Sequence, residues 1–168
     1  MTDYHDVICC IHETEKFDAI REVVYSCPVF SSLDDKDRFI DAVVRREQIE
    51  TTGIGRGVAI AHGKMRDIDR VKVALGISAK GVDFRSPDGE LVHLLFVIGS
   101  SPLRQVEYLK TLASIMRFVK HKTVRRELIR HASQIDFSDE REEECLNFIN
   151  LMAGQHFATF FDTKFRSH

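Results

Sequence analysis

The chain has 168 residues, 43% hydrophobic and 30% charged, with three prolines and nine glycines, a composition that excludes disordered and collagen-like classes and fits one globular domain with its own core. A formal net charge of -2 gives no global pull toward nucleic acid or an anionic membrane.

The N-terminal stretch MTDYHDVICC opens with acids and lacks a basic segment followed by an apolar core, and no run approaches the ~18 apolar residues of a membrane span. A cytoplasmic location is expected. Cys9, Cys10, Cys27 and Cys145 form no CxxC pair and no zinc spacing, so reduced thiols are expected rather than a disulfide framework. Residues 6–11 are short and apolar, compatible with a strand. From Glu15 to Ser26, Phe17, Ile20, Val23, Val24 and Cys27 recur at helical spacing before Pro28 supplies a stop. Ser32 and Asp35 resemble a capping box, which predicts a second helix with Phe39, Ile40, Val43 and Val44 on one side, running to about Arg46.

Thr51 to Gly57 reads TTGIGRG, and a run that rich in glycine favours turns and close backbone approach over regular structure. It leads into the short apolar stretch Val58-Ala59-Ile60. Val71, Val73, Leu75 and Ile77 then alternate with Lys72, Ala74, Gly76 and Ser78, the period-two signature of a half-buried strand. After a turn at Ser86-Pro87-Asp88-Gly89, Leu91 to Ile98 is almost continuously apolar, as expected of a central strand covered on both faces. Ser101-Pro102 suits a helix start, and Val106, Leu109, Leu112, Ala113 and Met116 repeat down the predicted helix to Val119. Two more helices are predicted, Val124 to Ala132 and Asp139 to Ala153, the latter ended by Gly154. This order gives an α/β fold with a mixed central sheet flanked by helices, occupying residues 1–154, and a Phe-rich extension at 155–168.

The glycine-rich stretch does not read as a nucleotide site. A dinucleotide fingerprint follows a strand and opens a helix, whereas this one leads into β-like sequence. A P-loop has four residues between its first glycine and Gly-Lys, then Ser or Thr; here Gly57 and Gly63-Lys64 enclose five, and Met65 follows. What remains is His62 at the end of a short apolar strand, with glycines and Arg46 upstream. A neutral imidazole is nucleophilic near pH 7, and a phosphohistidine formed there needs donors that backbone amides and a guanidinium can supply. A lone histidine at a strand end is more often structural, and the residue pattern alone leaves both readings open.

Arg46-Glu47 followed by Thr51-Thr52-Gly53-Ile54-Gly55-Arg56-Gly57-Val58-Ala59-Ile60-Ala61-His62-Gly63-Lys64 resembles the R-E…S-T-G-I-G-x-G-I-A-I-P-H-G-K signature of the mannitol/fructose-type enzyme IIA family of the bacterial sugar phosphotransferase system. The resemblance continues through VKVALGI, DGELVHLLFVI and the helix from Pro102, over roughly residues 5 to 150. It implies a phosphocarrier in which His62 accepts phosphate from phospho-HPr and gives it to a IIB partner, or, as in nitrogen-regulatory relatives, uses it to control a target protein. It further implies Arg46 as electrostatic helper, a phosphate pocket shaped by Thr52, Gly53, Gly55 and Gly57, and no cofactor or metal. Two departures are visible: Ala61 replaces a proline, and Gln105 stands where many members carry a second histidine. Glutamine can donate a hydrogen bond to a phosphoryl oxygen but cannot act as an acid, so acceptance is expected to survive while onward transfer changes.

His93 lies within an apolar strand, where a hydrogen-bonded structural role is favoured over a place in the site. His5, His12, His121, His131, His156 and His168 show no metal-ligand spacing. Lys122, Arg125, Arg126 and Arg130, near Arg117 and Lys120, form a basic cluster of the kind that is usually a solvated helix face, and no nucleic-acid partner is expected. In the extension, Phe157, Phe160, Phe161 and Phe165 would share one helical stripe, which must dock on the domain itself, on a second copy as a homodimer, or on a regulatory partner.

Overall fold

The computed structural model describes residues 7–134. The helix expected at 139–153, the domain boundary at residue 154 and the stripe of Phe157, Phe160, Phe161 and Phe165 lie outside the described residues.

Five strands, β1 (Ile8–Ile11), β2 (Gly53–Gly55), β3 (Val58–Lys64), β4 (Lys72–Val82) and β5 (Val92–Ser100), form one sheet in the spatial order β1-β4-β5-β3-β2. β1 pairs parallel with β4, and β3 parallel with β5; the β4–β5 and β2–β3 pairs are antiparallel, so the sheet is mixed as expected. The apolar run that predicted a central strand is β5, the middle strand, buried on both faces. Four helices are described: α1 (Lys16–Ser26), α2 (Lys36–Ile49), α3 (Gln105–Lys120) and α4 (Lys122–Ser133). Strand alternation sends Val58, Ile60, Leu94, Phe96 and Ile98 toward Tyr108, Ile115 and Phe118 of α3 and Leu128 of α4. The intervening Ala59, Ala61, Leu95 and Val97 pack against Val23 and Val24 of α1 and Phe39, Ile40 and Val43 of α2. No described helix is long and apolar enough to cross a membrane.

Several local expectations change. The cap of α2 is Asp35, whose carboxylate accepts from the Arg38 amide at 3.0 Å; Ser32 is exposed, and the helix runs on to Ile49. The glycine-rich stretch is a β2–β3 hairpin in which Gly55, Arg56 and Gly57 take positive φ, and β3 continues past His62 instead of ending before it. β4 is not half-buried, because α1 covers its second face: Ala74, Gly76 and Ser78 are small where the helix comes close, and a Cβ on Gly76 would meet Val23 and Ile11. The buried side of α3 is Tyr108, Thr111, Ile115, Phe118 and Val119, leaving Val106 and Leu109 exposed. In the basic cluster, Arg125 turns inward and donates to the Val119 carbonyl at 2.6 Å, closing the end of α3.

One close approach positions α2. Gly63 and Gly99 face each other in the β3–β5 register, and a Cβ on Gly63 would lie 2.8 Å from Val43 Cγ2 and 3.0 Å from the Val43 amide nitrogen. A Cβ on Gly99 would meet the Phe39 ring at 3.1 Å. The helix therefore rests on bare backbone, and Arg46, one turn beyond Val43, is held at the end of the sheet where His62 emerges. Gly63→Ala is expected to lower the unfolding free energy by roughly 1–3 kcal/mol, since the obstruction includes backbone that cannot rotate away; urea unfolding with an unchanged m-value checks it.

Candidate active site

Alternation along β3 places His62 and Lys64 on the side that carries Val58 and Ile60, the side covered by α3 and α4. In the parallel register His62 lies beside Ile98, and Lys64 beside Ser100. The chain leaves β5 there, makes one 3-10 turn over Pro102–Arg104 with Ser101 Oγ accepting from the Leu103 amide, and begins α3 at Gln105. The first turns of α3 thus hang over the end of β3. The His62 and Tyr108 ring centroids are 5.6 Å apart, and Lys64 Nζ lies 5.1 Å from the Tyr108 centroid. Lys64 Nζ also donates to Gln105 Oε1 at 2.7 Å. An ammonium accepts nothing, so the amide oxygen of Gln105 must face the lysine.

His62 is half-buried, with Nδ1 3.3 Å from the Ile60 carbonyl oxygen. A carbonyl only accepts, which assigns the proton to Nδ1 and leaves the lone pair on Nε2. Burial pushes the His62 pKa below the usual imidazole value. The charges of Arg46 and Lys64 push it the same way, while the Ile60 hydrogen bond and Glu47 oppose them. The neutral ring therefore prevails at pH 7.

Arg46 sits in the last turn of α2, where Nη1 donates to the Glu50 carbonyl at 3.0 Å. Its field reaches both His62 and Tyr108. The neighbouring Glu47 is 2% exposed. Its carboxylate accepts from the Thr52 amide at 3.0 Å, from the Thr52 hydroxyl, and from Lys16 Nζ at 3.3 Å. This one buried anion ties the end of α2 to the lead-in of β2 and to the start of α1.

Of the residues predicted for the site, the fold gathers His62, Arg46 and Gln105. The amide and hydroxyl of Thr52 are committed to Glu47, and the Gly53 amide to Thr51 Oγ1 at 3.1 Å. Gly55 and Gly57 do not shape a pocket around His62. They sit at the opposite end of β3, with Gly57 roughly 16 Å from His62 at the usual rise of a strand. The Arg56 amide between them donates to Asp88 Oδ2 at 2.7 Å and is thereby committed. His93 belongs to that far end as well: its amide bonds the Gly57 carbonyl and its Nδ1 lies 2.7 Å from the Ser78 carbonyl oxygen. Sequence reasoning missed Lys64, Tyr108 and Glu47. The available signals were a lysine two residues after the histidine in a strand, and a tyrosine three after Gln105 on a helix. No group of three or more metal-ligating side chains occurs among the described residues.

Residues 1–142 match the family model described as phosphoenolpyruvate-dependent sugar phosphotransferase system, EIIA 2. The chain belongs to this family. EIIA domains are phosphotransferases that carry a phosphohistidine, receiving phosphate from HPr and passing it to IIB. The fructose-specific EIIABC component of Bacillus subtilis is 30% identical over 130 residues, which are 77% of this chain but 20% of that relative. The fructose-specific EIIA component of Haloferax volcanii is 34% identical over 107 residues, 64% of this chain and 70% of the relative. The crystal structure of nitrogen regulatory protein IIA-Ntr from Neisseria meningitidis has the same fold, with a TM-score of 0.68 at 22% identity, covering 85% of this chain and 94% of that one.

In this EIIA domain the buried Glu47 has an experimental signature. Glu47→Ala leaves the buried Thr52 groups and the Lys16 ammonium without their acceptor, and is expected to destabilise the fold by about 3 kcal/mol. The same change should raise hydrogen exchange at the Thr52 amide, which reads the loop directly.

Proposed function

We propose that this EIIA domain accepts a phosphoryl group from phospho-HPr on Nε2 of His62 and passes it to a IIB partner. The observation that carries this reading is a half-buried, neutral imidazole whose Nδ1 is fixed by the Ile60 carbonyl while its Nε2 stays nucleophilic within the field of Arg46 and Lys64. The transfer balances without a proton: the N–P bond of the donor histidine breaks, the Nε2–P bond forms, and the electron pair returns to the donor ring. Nδ1 of His62 keeps its hydrogen throughout. Arg46 stabilises the equatorial oxygens with a guanidinium that remains charged at any working pH.

A protein donor fits the surroundings better than a nucleotide. Leu103, Val106 and Leu109, at 82%, 69% and 52% exposure, line the start of α3 beside Gln105, and Ile49, at 80%, ends α2 near Arg46. Exposed apolar side chains around a polar centre suit a macromolecular contact. The open cleft of about 750 Å³ between the start of α1 and the end of α2 is lined by Glu15, Glu47, Glu50 and Asp83 together with Lys16 and Arg85, and does not include His62.

A regulatory role, in which the phosphorylated state controls a target protein, is the second reading. It is favoured by Gln105, which has no proton to give and whose oxygen is engaged by Lys64. Proteins named for fructose uptake and for nitrogen regulation both resemble the chain.

Incubation with phosphoenolpyruvate, enzyme I and HPr is expected to add one acid-labile phosphate, and His62→Ala to abolish it. An unchanged mass for the wild type alongside a labelled control EIIA sinks the proposal. Because the His62 pKa is depressed, the neutral nucleophile persists as pH falls through the ordinary imidazole range near ~6.5. The acceptance rate should therefore stay level from pH 8 to about 6.5 and decline only below it, as a rapid-quench pH profile on the wild type would show.

A further inference from the structure

We propose that Lys64 is a catalytic ligand of the phosphoryl group carried by His62, poised by Gln105 and Tyr108 so that its ammonium takes up charge on the transferring oxygens. The inference rests on the phosphocarrier reading of His62 and adds a residue to that site.

Three observations carry it. Residues two apart on a strand point the same way and stand about 6.6 Å apart along it, so Lys64 rises beside His62 on the side facing α3. The Tyr108 ring is common ground: the His62 ring lies 5.6 Å from it on one side of the contact, and Lys64 Nζ lies 5.1 Å from its centroid. Gln105, 41 residues away in sequence, then fixes the ammonium by accepting its hydrogen bond at 2.7 Å. A long lysine on an exposed strand end ordinarily samples many rotamers, at an entropic cost when one is imposed. Here a neutral acceptor and an aromatic face confine it without cancelling its charge, since no carboxylate is its partner in either contact. Lys64 also acts on the neutral ring from where it stands, adding to the depression of the His62 pKa.

The chemistry asks for such a group. A phosphoryl group moving between two imidazole nitrogens spreads negative charge over three equatorial oxygens. Arg46, whose Nη1 donates to the Glu50 carbonyl, acts on the ring through its charge from the end of α2. Lys64 approaches from β3 on the α3 side, so the two cations act on the ring from different elements. One of the three ammonium hydrogens is held by Gln105, leaving two to donate to phosphoryl oxygens. No proton moves in this step: the lysine contributes charge and hydrogen bonds, while the N–P bond of the donor breaks and the Nε2–P bond forms.

A purely structural alternative is that Lys64 and Gln105 form a strut pinning α3 to β3. Substitutions separate the two. Lys64→Met keeps the stem and the contact with the Tyr108 ring but removes the charge; Lys64→Arg restores a cation; Gln105→Leu breaks the strut and leaves the charge. The expected rates of His62 phosphorylation by phospho-HPr, by rapid quench, are at least 10-fold lower for Lys64→Met, within about 3-fold of wild type for Lys64→Arg, and intermediate for Gln105→Leu. A readout independent of transfer is the NMR titration of the His62 ring, which should move to higher pH in Lys64→Met and stay in place in Lys64→Arg. Equal loss in Lys64→Met and Gln105→Leu, with equal falls in melting temperature and no movement of the His62 titration, would leave the strut and overturn the catalytic role. A wild-type rate in Lys64→Met overturns it as well while the phosphocarrier reading stands. Failure of the wild type to take phosphate at all overturns both.

Discussion

The parallel pairing of β3 with β5 is the constraint on which the site depends. Its register sets His62 beside Ile98 and Lys64 beside Ser100, so both side chains emerge where β5 ends and α3 begins. A slip of one residue would turn His62 toward α2 and bury it against Val43 and Phe39, because side-chain direction alternates along a strand. The register is held from both sides. Leu94, Phe96 and Ile98 fill the space under α3 and α4, while glycines at 63 and 99 leave room on the other side for α2 alone. Either layer would be misfilled in any other alignment.

Electrostatics at this end of the molecule run against the net charge of the whole. The chain carries -2 overall, yet His62 feels the positive charges of both Arg46 and Lys64, and the nearby carboxylate of Glu47 is engaged by Thr52 and Lys16. Burying that carboxylate is tolerable because three donors satisfy it. It braces the loop, and among the described residues the guanidinium one residue earlier has no carboxylate partner. At the opposite end of β3, Asp88 takes the Arg56 and Glu90 amides, these hydrogen bonds hold its carboxyl below the usual range, and the Arg56 charge acts the same way.

Much of the fold was legible because the informative positions are local. The apolar run of β5, the helical spacing in α1, the stop at Pro28 and the Ser101-Pro102 helix start each depend on a few neighbouring residues. His62 and Arg46 stood out through a signature of adjacent residues. What could not be read involves distant partners. Lys64 gains its meaning from Gln105 and Tyr108, more than forty residues later, and no local pattern announces that pairing. The glycine run misled for a related reason: positive φ at Gly55 and Gly57 closes a hairpin, so the same residues that suggest an anion cradle in isolation serve to turn the chain far from the histidine. Likewise, small residues in β4 looked like an exposed alternate face until α1 was seen to lie on them.

The misread face of α3 carries the most information. Val106 and Leu109 fit a helical apolar repeat with Leu112 and Met116, yet the helix turns Tyr108, Ile115 and Phe118 to the core. Its first two turns therefore bear apolar residues on two sides, one satisfied by the sheet and one left in water with Leu103. A helix serving only the core would be expected to place polar residues there, since each exposed aliphatic side chain forgoes roughly 1.5–3 kcal/mol of burial. Departures from local patterning concentrate where function has set the residue choice. In α3 that departure is confined to the turns flanking His62 and Lys64, while the later turns revert to a single apolar side. The same short stretch thus supplies Gln105 to hold the lysine, Tyr108 to pack the histidine, and an apolar rim that suits the protein donor proposed above.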